Sequence, residues 1–153
     1  MIETPRNSRE KYDYDEKTNS FLLKKLLPAG MCFPYDFVFI PDSKGEDGDP
    51  LDALVISEFG TFPGCCVQCR LIGAIKAEQT ENGNTIRNDR FLFVPEISMV
   101  YKKIRSITNL PHSFIGELVY FFINYNQQQG REYNVLSVMP SDRAKKLLKH
   151  NLA

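Results

Sequence analysis

Asp42-Ser43-Lys44-Gly45-Glu46-Asp47-Gly48-Asp49-Pro50-Leu51-Asp52-Ala53-Leu54-Val55-Ile56-Ser57-Glu58 joins an acidic turn to an apolar run of strand character. Asp47, Asp49 and Asp52 fall within six positions, and carboxylates that close repel one another severely when buried unless cations lie among them. A hard divalent metal is the natural cation for such a set, and that combination signals phosphate chemistry. Pro50 fixes its own φ and bends the chain, so Asp52 can swing to the face shared by Asp47 and Asp49. The plain alternative is a turn, since Asp and Gly are common turn formers. It leaves Asp52 without a role, because a lone carboxylate opening an apolar strand is partly buried and costly. A calcium-binding EF-hand loop would put Asp47, Asp49 and Glu58 at positions 1, 3 and 12, but it needs Gly at position 6, where Asp52 stands. Leu51 at position 5 and the strand-like residues 53–56 complete that exclusion.

Outward from this stretch, the first two thirds of the chain reads as short strands and the last third as helix. Residues 11–15 alternate towards a strand, 16–19 turn, and 21–27 form a second run ended by Pro28 and Gly30. Residues 31–41 set Phe33, Tyr35, Phe37 and Phe39 at period two and predict an aromatic strand. After the continuous strand 53–56, residues 59–64 turn the chain into a strand over 65–74. Residues 78–89 are polar with a turn at Asn82-Gly83, and 91–94 is a strand stopped by Pro95. Strands of this length and spacing suggest a small barrel. Residues 111–126 place Phe114, Leu118, Phe121, Phe122 and Tyr125 on one helical face, with Gly130 where the helix stops. Residues 133–138 return to extended structure. Ser141 then caps a closing helix with Ala144, Leu147 and Leu148 inward and Arg143, Lys145, Lys146 and Lys149 on a solvated face.

At 153 residues without a linker the chain is read as one domain, residues 1–153. Nineteen basic and nineteen acidic residues cancel, which argues against a nucleic-acid binder relying on a broad basic field. No apolar leader opens the chain and no run approaches the ~18 apolar residues of a membrane span, so a cytoplasmic protein with no membrane partner is expected. Cys66-Val67-Gln68-Cys69 matches a CxxC on paper, yet on a strand residues three apart face opposite sides and cannot share a zinc. The cysteines are read as small buried apolar side chains in a reducing compartment.

Asp47-Gly48-Asp49-Pro50-Leu51-Asp52 resembles the signature of the soluble family I inorganic pyrophosphatases, and the resemblance runs over most of the chain. Glu3-Thr4-Pro5, Lys11-Tyr12-Asp13, Phe33-Pro34 and Phe121-Phe122 with Tyr125 fall in family order at near-family spacing. The resemblance implies an α+β, mainly β fold: a five-stranded OB-like barrel with flanking C-terminal helices. It implies hydrolysis of pyrophosphate to two phosphates with several Mg2+ ions, Mn2+ being an alternative, and a homo-oligomer, the short chain favouring a hexamer. Asp47 and Asp52 would then ligate metal and Asp49 would take the proton of the attacking water as the catalytic base. Lys11 and Tyr125 would hold phosphate. The chemistry supports the set: the attacking water has a pKa near 15.7 and needs metal to acidify it, while Lys11 and Lys25 offset charge on the departing phosphate. Taken alone, each lysine reads as an ordinary surface residue.

Several positions depart from the resemblance. Asp13 joins the metal set where many members carry Glu, with shorter reach, and Lys25 holds phosphate where an Arg commonly grips it, without the planar fork. Phe37 replaces a Tyr, Val38 a Gly, and Asn126 follows Tyr125 where a Lys is usual. Residues 76–90 form a longer loop that usually supplies two further ligating Asp. Counting back from Val94-Pro95 puts Arg90 on the usual phosphate-binding Lys and Asn88 on the second Asp, with Asp89 displaced by one as the candidate ligand. Asp89 can replace Asn88 only through a bulge; Glu78 and Glu81 are stand-ins for the first Asp. Two other functions remain in view: hydrolysis of another phosphoanhydride or phosphate ester, suggested by Lys25, Phe37 and Asn126, and a non-catalytic OB-like binding module, which the charge balance disfavours.

Overall fold

The computed structural model describes residues 1–152. Its elements in chain order are β1 (Ile2–Thr4), β2 (Glu10–Asp15), β3 (Ser20–Leu26), β4 (Asp36–Phe39), β5 (Asp52–Val55), β6 (Cys69–Glu81), β7 (Asn84–Arg87), β8 (Arg90–Pro95), a 3-10 turn (Ile107–Asn109), α1 (His112–Gln127), β9 (Glu132–Pro140) and α2 (Ser141–Lys149). A seven-stranded sheet runs β1-β4-β5-β8-β6, antiparallel except for the parallel pair β5 and β8. β8 and β7 follow one another along one edge of the long β6, and β9 takes its other edge. β2 and β3 stand apart as a two-stranded hairpin.

The mainly β, α+β class is borne out. The pairings among the described residues do not by themselves show a closed barrel and form a seven-strand sheet with β1, β7 and β9 at its edges. Its central strands are covered on both sides, which is why they read as unbroken apolar runs. Leu54, Ile56, Leu92 and Val94 meet Leu118, Phe122 and Tyr125 of α1 on one face. Ala53, Val55 and Phe91 face the opposite layer with Ile2, Met139 and Ala144 of α2. Gly73 lies where β6 changes register, and a Cβ there would sit 2.5 Å from Ile107 and 2.7 Å from the Met139 carbonyl. Only a residue without a side chain lets β9 and the 3-10 turn close on the sheet.

Four local expectations need correction. Residues 31–35 are not strand: Pro34 interrupts them, and Phe33 exchanges backbone hydrogen bonds with Asn7 and Ser8 instead. Cys66 lies before β6 rather than on it, and Cys32 and Cys66 are exposed, with Cys65 and Cys69 half-buried; all four thiols are free. Ser141 is the first residue of α2, not its cap; Pro140 occupies the cap position, and the Ser141 N–H donates to the Ser106 hydroxyl at 3.2 Å. Residues 76–90 are a β-hairpin rather than a loop, with Asn82 and Gly83 both at positive φ, 50° and 77°, as a two-residue turn of primed type requires. No described helix is long and apolar enough to cross a membrane.

Candidate active site

The segment between β4 and β5 is held by its own polar groups. Gly45 N–H donates to the Asp49 carbonyl at 2.7 Å, Asp49 N–H to Asp47 Oδ1 at 3.0 Å, and Leu51 N–H to the Ser43 hydroxyl at 2.9 Å, while Gly48 takes φ 91°. Asp47 and Asp49 stand exposed at the tip, and Asp52, opposite Phe39 at the start of β5, drops to the cleft wall. Burial pushes the Asp52 carboxyl up, Arg90 and Lys11 pull it back, and Asp47 and Asp49 push it up again. The three aspartates therefore share one electrostatic neighbourhood. Among the described residues, however, no three His, Cys, Asp or Glu side chains gather closely enough to hold an ion by themselves.

Arg90 is the partner that sequence reasoning misjudged. Its side chain is only 4% exposed, its guanidinium lies over the rings of Phe37 (5.7 Å) and Phe122 (5.2 Å), and Nη1 donates to Asp52 Oδ2 at 2.7 Å and to Asn88 Oδ1. It clamps Asp52 from behind and is not open to a ligand in the cleft. Its Nε, Asn126 Oδ1 and the Tyr133 hydroxyl are buried without a hydrogen-bond partner among the described residues. Asn126, where a Lys is usual, is wholly buried with Nδ2 donating to the Phe122 carbonyl at 2.8 Å, so it cannot reach the cleft.

The hairpin register decides between Asn88 and Asp89. Glu78 pairs with Arg87 and Ile75 with Arg90, equal steps on both strands, so the bulge that Asp89 needed is absent. Asn88 is the residue that joins Arg90 and Asp52. Asp89 receives the Ala77 N–H at 3.0 Å and Arg87 at 2.7 Å. Of the stand-ins, Glu81 pairs with Arg131 at 3.0 Å, and Glu78 sits on β6 directly opposite Arg87 without lining the cleft.

On the separate hairpin, Lys11 and Lys25 are direct cross-strand neighbours, an arrangement that repels unless an anion lies nearby. Lys11 is buried over the Phe37 ring and forms an ion pair with Asp13, so Asp13 has a cation already. Burial pulls the Lys11 ammonium down while Glu3 and Asp52 support it. Lys25 lies 4.7 Å over the Tyr125 ring and donates to Gln129; burial, with Lys11 and Arg131 adding, lowers it to about 8. Burial pushes the Tyr125 phenol up to about 12, so it is a donor at neutral pH. Glu3 was missed as a site residue: buried in the middle of β1, it accepts the Tyr14 N–H at 3.0 Å and is raised by burial against the pull of that bond and of Lys11. Its only sequence signal was its place in the family order.

A cleft of about 370 Å³ opens on the acidic segment, lined by Glu46, Asp47, Asp52, Arg87, Asn88 and Asp89 among others, with none of Lys11, Lys25 and Tyr125 in its wall. Clustered acidic oxygens, with Arg90 and Lys11 acting on Asp52, are an arrangement that suits phosphate chemistry. The comparisons agree: the inorganic pyrophosphatase family profile matches residues 1–153, so the chain belongs to that family. It is 35% identical over 136 residues to an inorganic pyrophosphatase of Synechocystis, covering 89% of this chain and 78% of the relative. With one from Streptomyces coelicolor it shares 37% over 124 residues, 81% of this chain and 74% of the relative. The crystal structure of inorganic pyrophosphatase from Thermus thermophilus superposes with a TM-score of 0.87 at 29% identity, over 97% of this chain and 84% of that one.

Proposed function

We propose that the protein hydrolyses inorganic pyrophosphate with Mg2+, Mn2+ serving in its place, using the acidic segment and the lysines of the β2–β3 hairpin. The observation that carries the reading is the cross-strand pair Lys11 and Lys25, with Lys11 acting on the same Asp52 carboxyl that Asp47 and Asp49 influence. The donors suit Mg2+, which keeps several waters and takes one or two carboxylates plus substrate phosphates rather than an all-protein cage. Asp47 and Asp52 would hold it, their oxygens being hard donors. When bound, it neutralises the diphosphate and acidifies the attacking water. Asp49, whose exposed carboxylate makes no side-chain hydrogen bond among the described residues, takes the proton. Lys11, Lys25 and the Tyr125 hydroxyl bind the phosphate that leaves. Glu3 and Arg90 hold Lys11 and Asp52 in place.

Lys25 gives this site a pH dependence of known sign. Protonated below about 8 and neutral above it, the amine loses its grip on phosphate as pH rises. We expect kcat/KM for pyrophosphate to fall several-fold above about pH 8, and Lys25→Arg to flatten that fall because a guanidinium stays charged. Rate measurements across this pH range check both.

The phosphoanhydride specificity is tested by comparing pyrophosphate with nucleoside triphosphates and polyphosphate at equal Mg2+. A preference for an organic substrate would displace the reading. Assembly as a homo-oligomer, a hexamer on the resemblance, is supported by Phe62, Ile97, Met99 and Val100, each more than 60% exposed. Glu58 holds the turn that carries Met99 and Val100 by accepting hydrogen bonds from the Ser98 hydroxyl and the Met99 and Val100 N–H groups. Four free cysteines support a reducing, cytoplasmic setting.

A further inference from the structure

We infer that Arg87 is a phosphate-binding residue of this site, a role that rests on the pyrophosphate reading above and that no residue of the family resemblance fills at this position. The resemblance assigned cationic grip to Arg90, but Arg90 lies behind Asp52 with its guanidinium over two rings. Arg87 instead lines the cleft itself, beside Asp47, Asp52 and Asn88. It is the one cationic residue among the described residues that does so, and its side chain remains 32% exposed.

Its geometry is that of an oriented donor. Arg87 ends β7 and Asp89 follows two residues on. Nε and Nη2 both donate to Asp89 Oδ1, at 3.2 and 2.9 Å, and Nη2 also to Oδ2 at 2.7 Å. Asp89 is held in turn by the Ala77 N–H, and the Arg87 backbone N–H donates to Glu46 on the opposite lip. Two of the three guanidinium nitrogens are thus fixed, and Nη1 has no hydrogen-bond partner among the described residues. A guanidinium held along one edge presents the other at a fixed angle, the arrangement that recognises phosphate oxygens. Five carboxylates come near this cleft, Glu46, Asp47, Asp49, Asp52 and Asp89, so a polyanion entering it needs a positive contact on this lip as well as bound metal. Asp89, proposed from sequence as a ligand, then acts as the positioning residue for Arg87.

The test is steady-state kinetics of Arg87→Ala and Arg87→Lys, with calorimetric binding of the non-hydrolysable analogue imidodiphosphate in Mg2+. Arg87→Ala should raise KM for pyrophosphate and the analogue's Kd by on the order of tenfold, with kcat changed far less. Arg87→Lys should recover part of the loss, because it restores charge without the fork. Asp89→Asn should raise KM less than Arg87→Ala does. A merely structural brace would lower Tm and leave KM and Kd alone; unchanged KM and Kd in a folded Arg87→Ala protein overturn the inference. Analogue binding separates the two readings: a wild type that binds the analogue through Arg87 but releases no phosphate defeats the hydrolysis, not the assignment of Arg87.

Discussion

Asp49→Asn should lower kcat for pyrophosphate by at least about a hundredfold while leaving divalent-metal affinity within a few-fold of wild type. The split follows from placement. Asp47 and Asp52 flank Asp49, and Asp47 is tied into the segment by the Asp49 N–H, a backbone bond that the amide side chain leaves intact. The carboxylate of Asp49 itself is exposed and uncommitted, which suits a proton acceptor, and a positioned general base contributes ~10²–10⁴-fold. Asparagine keeps the shape and removes the basicity. Phosphate-release kinetics and Mn2+ calorimetry read the two halves separately. Wild-type turnover in Asp49→Asn would move the base elsewhere, and lost metal affinity would make Asp49 a ligand instead.

The second large effect is on stability. Arg90→Ala should cost about 3 kcal/mol, because it strands the Asp52 carboxylate against an apolar wall and empties the space against Phe37 and Phe122. Asp52 is 31% exposed, so solvent relieves part of the penalty and the lower end of the buried-pair range applies. For a chain of this size the loss corresponds to a fall in Tm of roughly 10 °C. The double variant Arg90→Met with Asp52→Asn removes both charges and should regain most of the stability without regaining activity. Thermal unfolding of the three proteins checks this. An Arg90→Ala protein as stable as wild type would show that Arg90 does not hold Asp52.

Much of the frame was legible in the residues. Alternation in β2, the apolar runs of β3, β5 and β8, the α1 stripe from Phe114 to Tyr125 and the Asn82-Gly83 turn each report a local preference that the tertiary structure keeps. The aromatic segment at 31–35 failed because alternation alone cannot show that Phe33 spends its backbone hydrogen bonds on residues 7 and 8. Which strands pair was not legible either, since pairing partners lie far apart in sequence.

At the site, the acidic motif and the lysines were visible because their spacing is local. The roles of Arg90, Asn88 and Asp89 were not. Which face each takes depends on whether residues 76–90 contain a bulge, and the hairpin register that answers this belongs to β6 as much as to β8. The burial of Arg90 comes from Phe37 and Phe122, on two other elements, and nothing near residue 90 announces it. Arg87 escaped notice because a polar hairpin arginine is usually a solvated one.

The central claim is that clustered aspartates and opposed lysines make this protein a metal-dependent pyrophosphate hydrolase. Colorimetric phosphate release from pyrophosphate, with Mg2+ and with EDTA in its place, tests it most directly. The account predicts two phosphates per pyrophosphate with Mg2+ and none in EDTA. No release at any Mg2+ concentration, or equal release in EDTA, would contradict it.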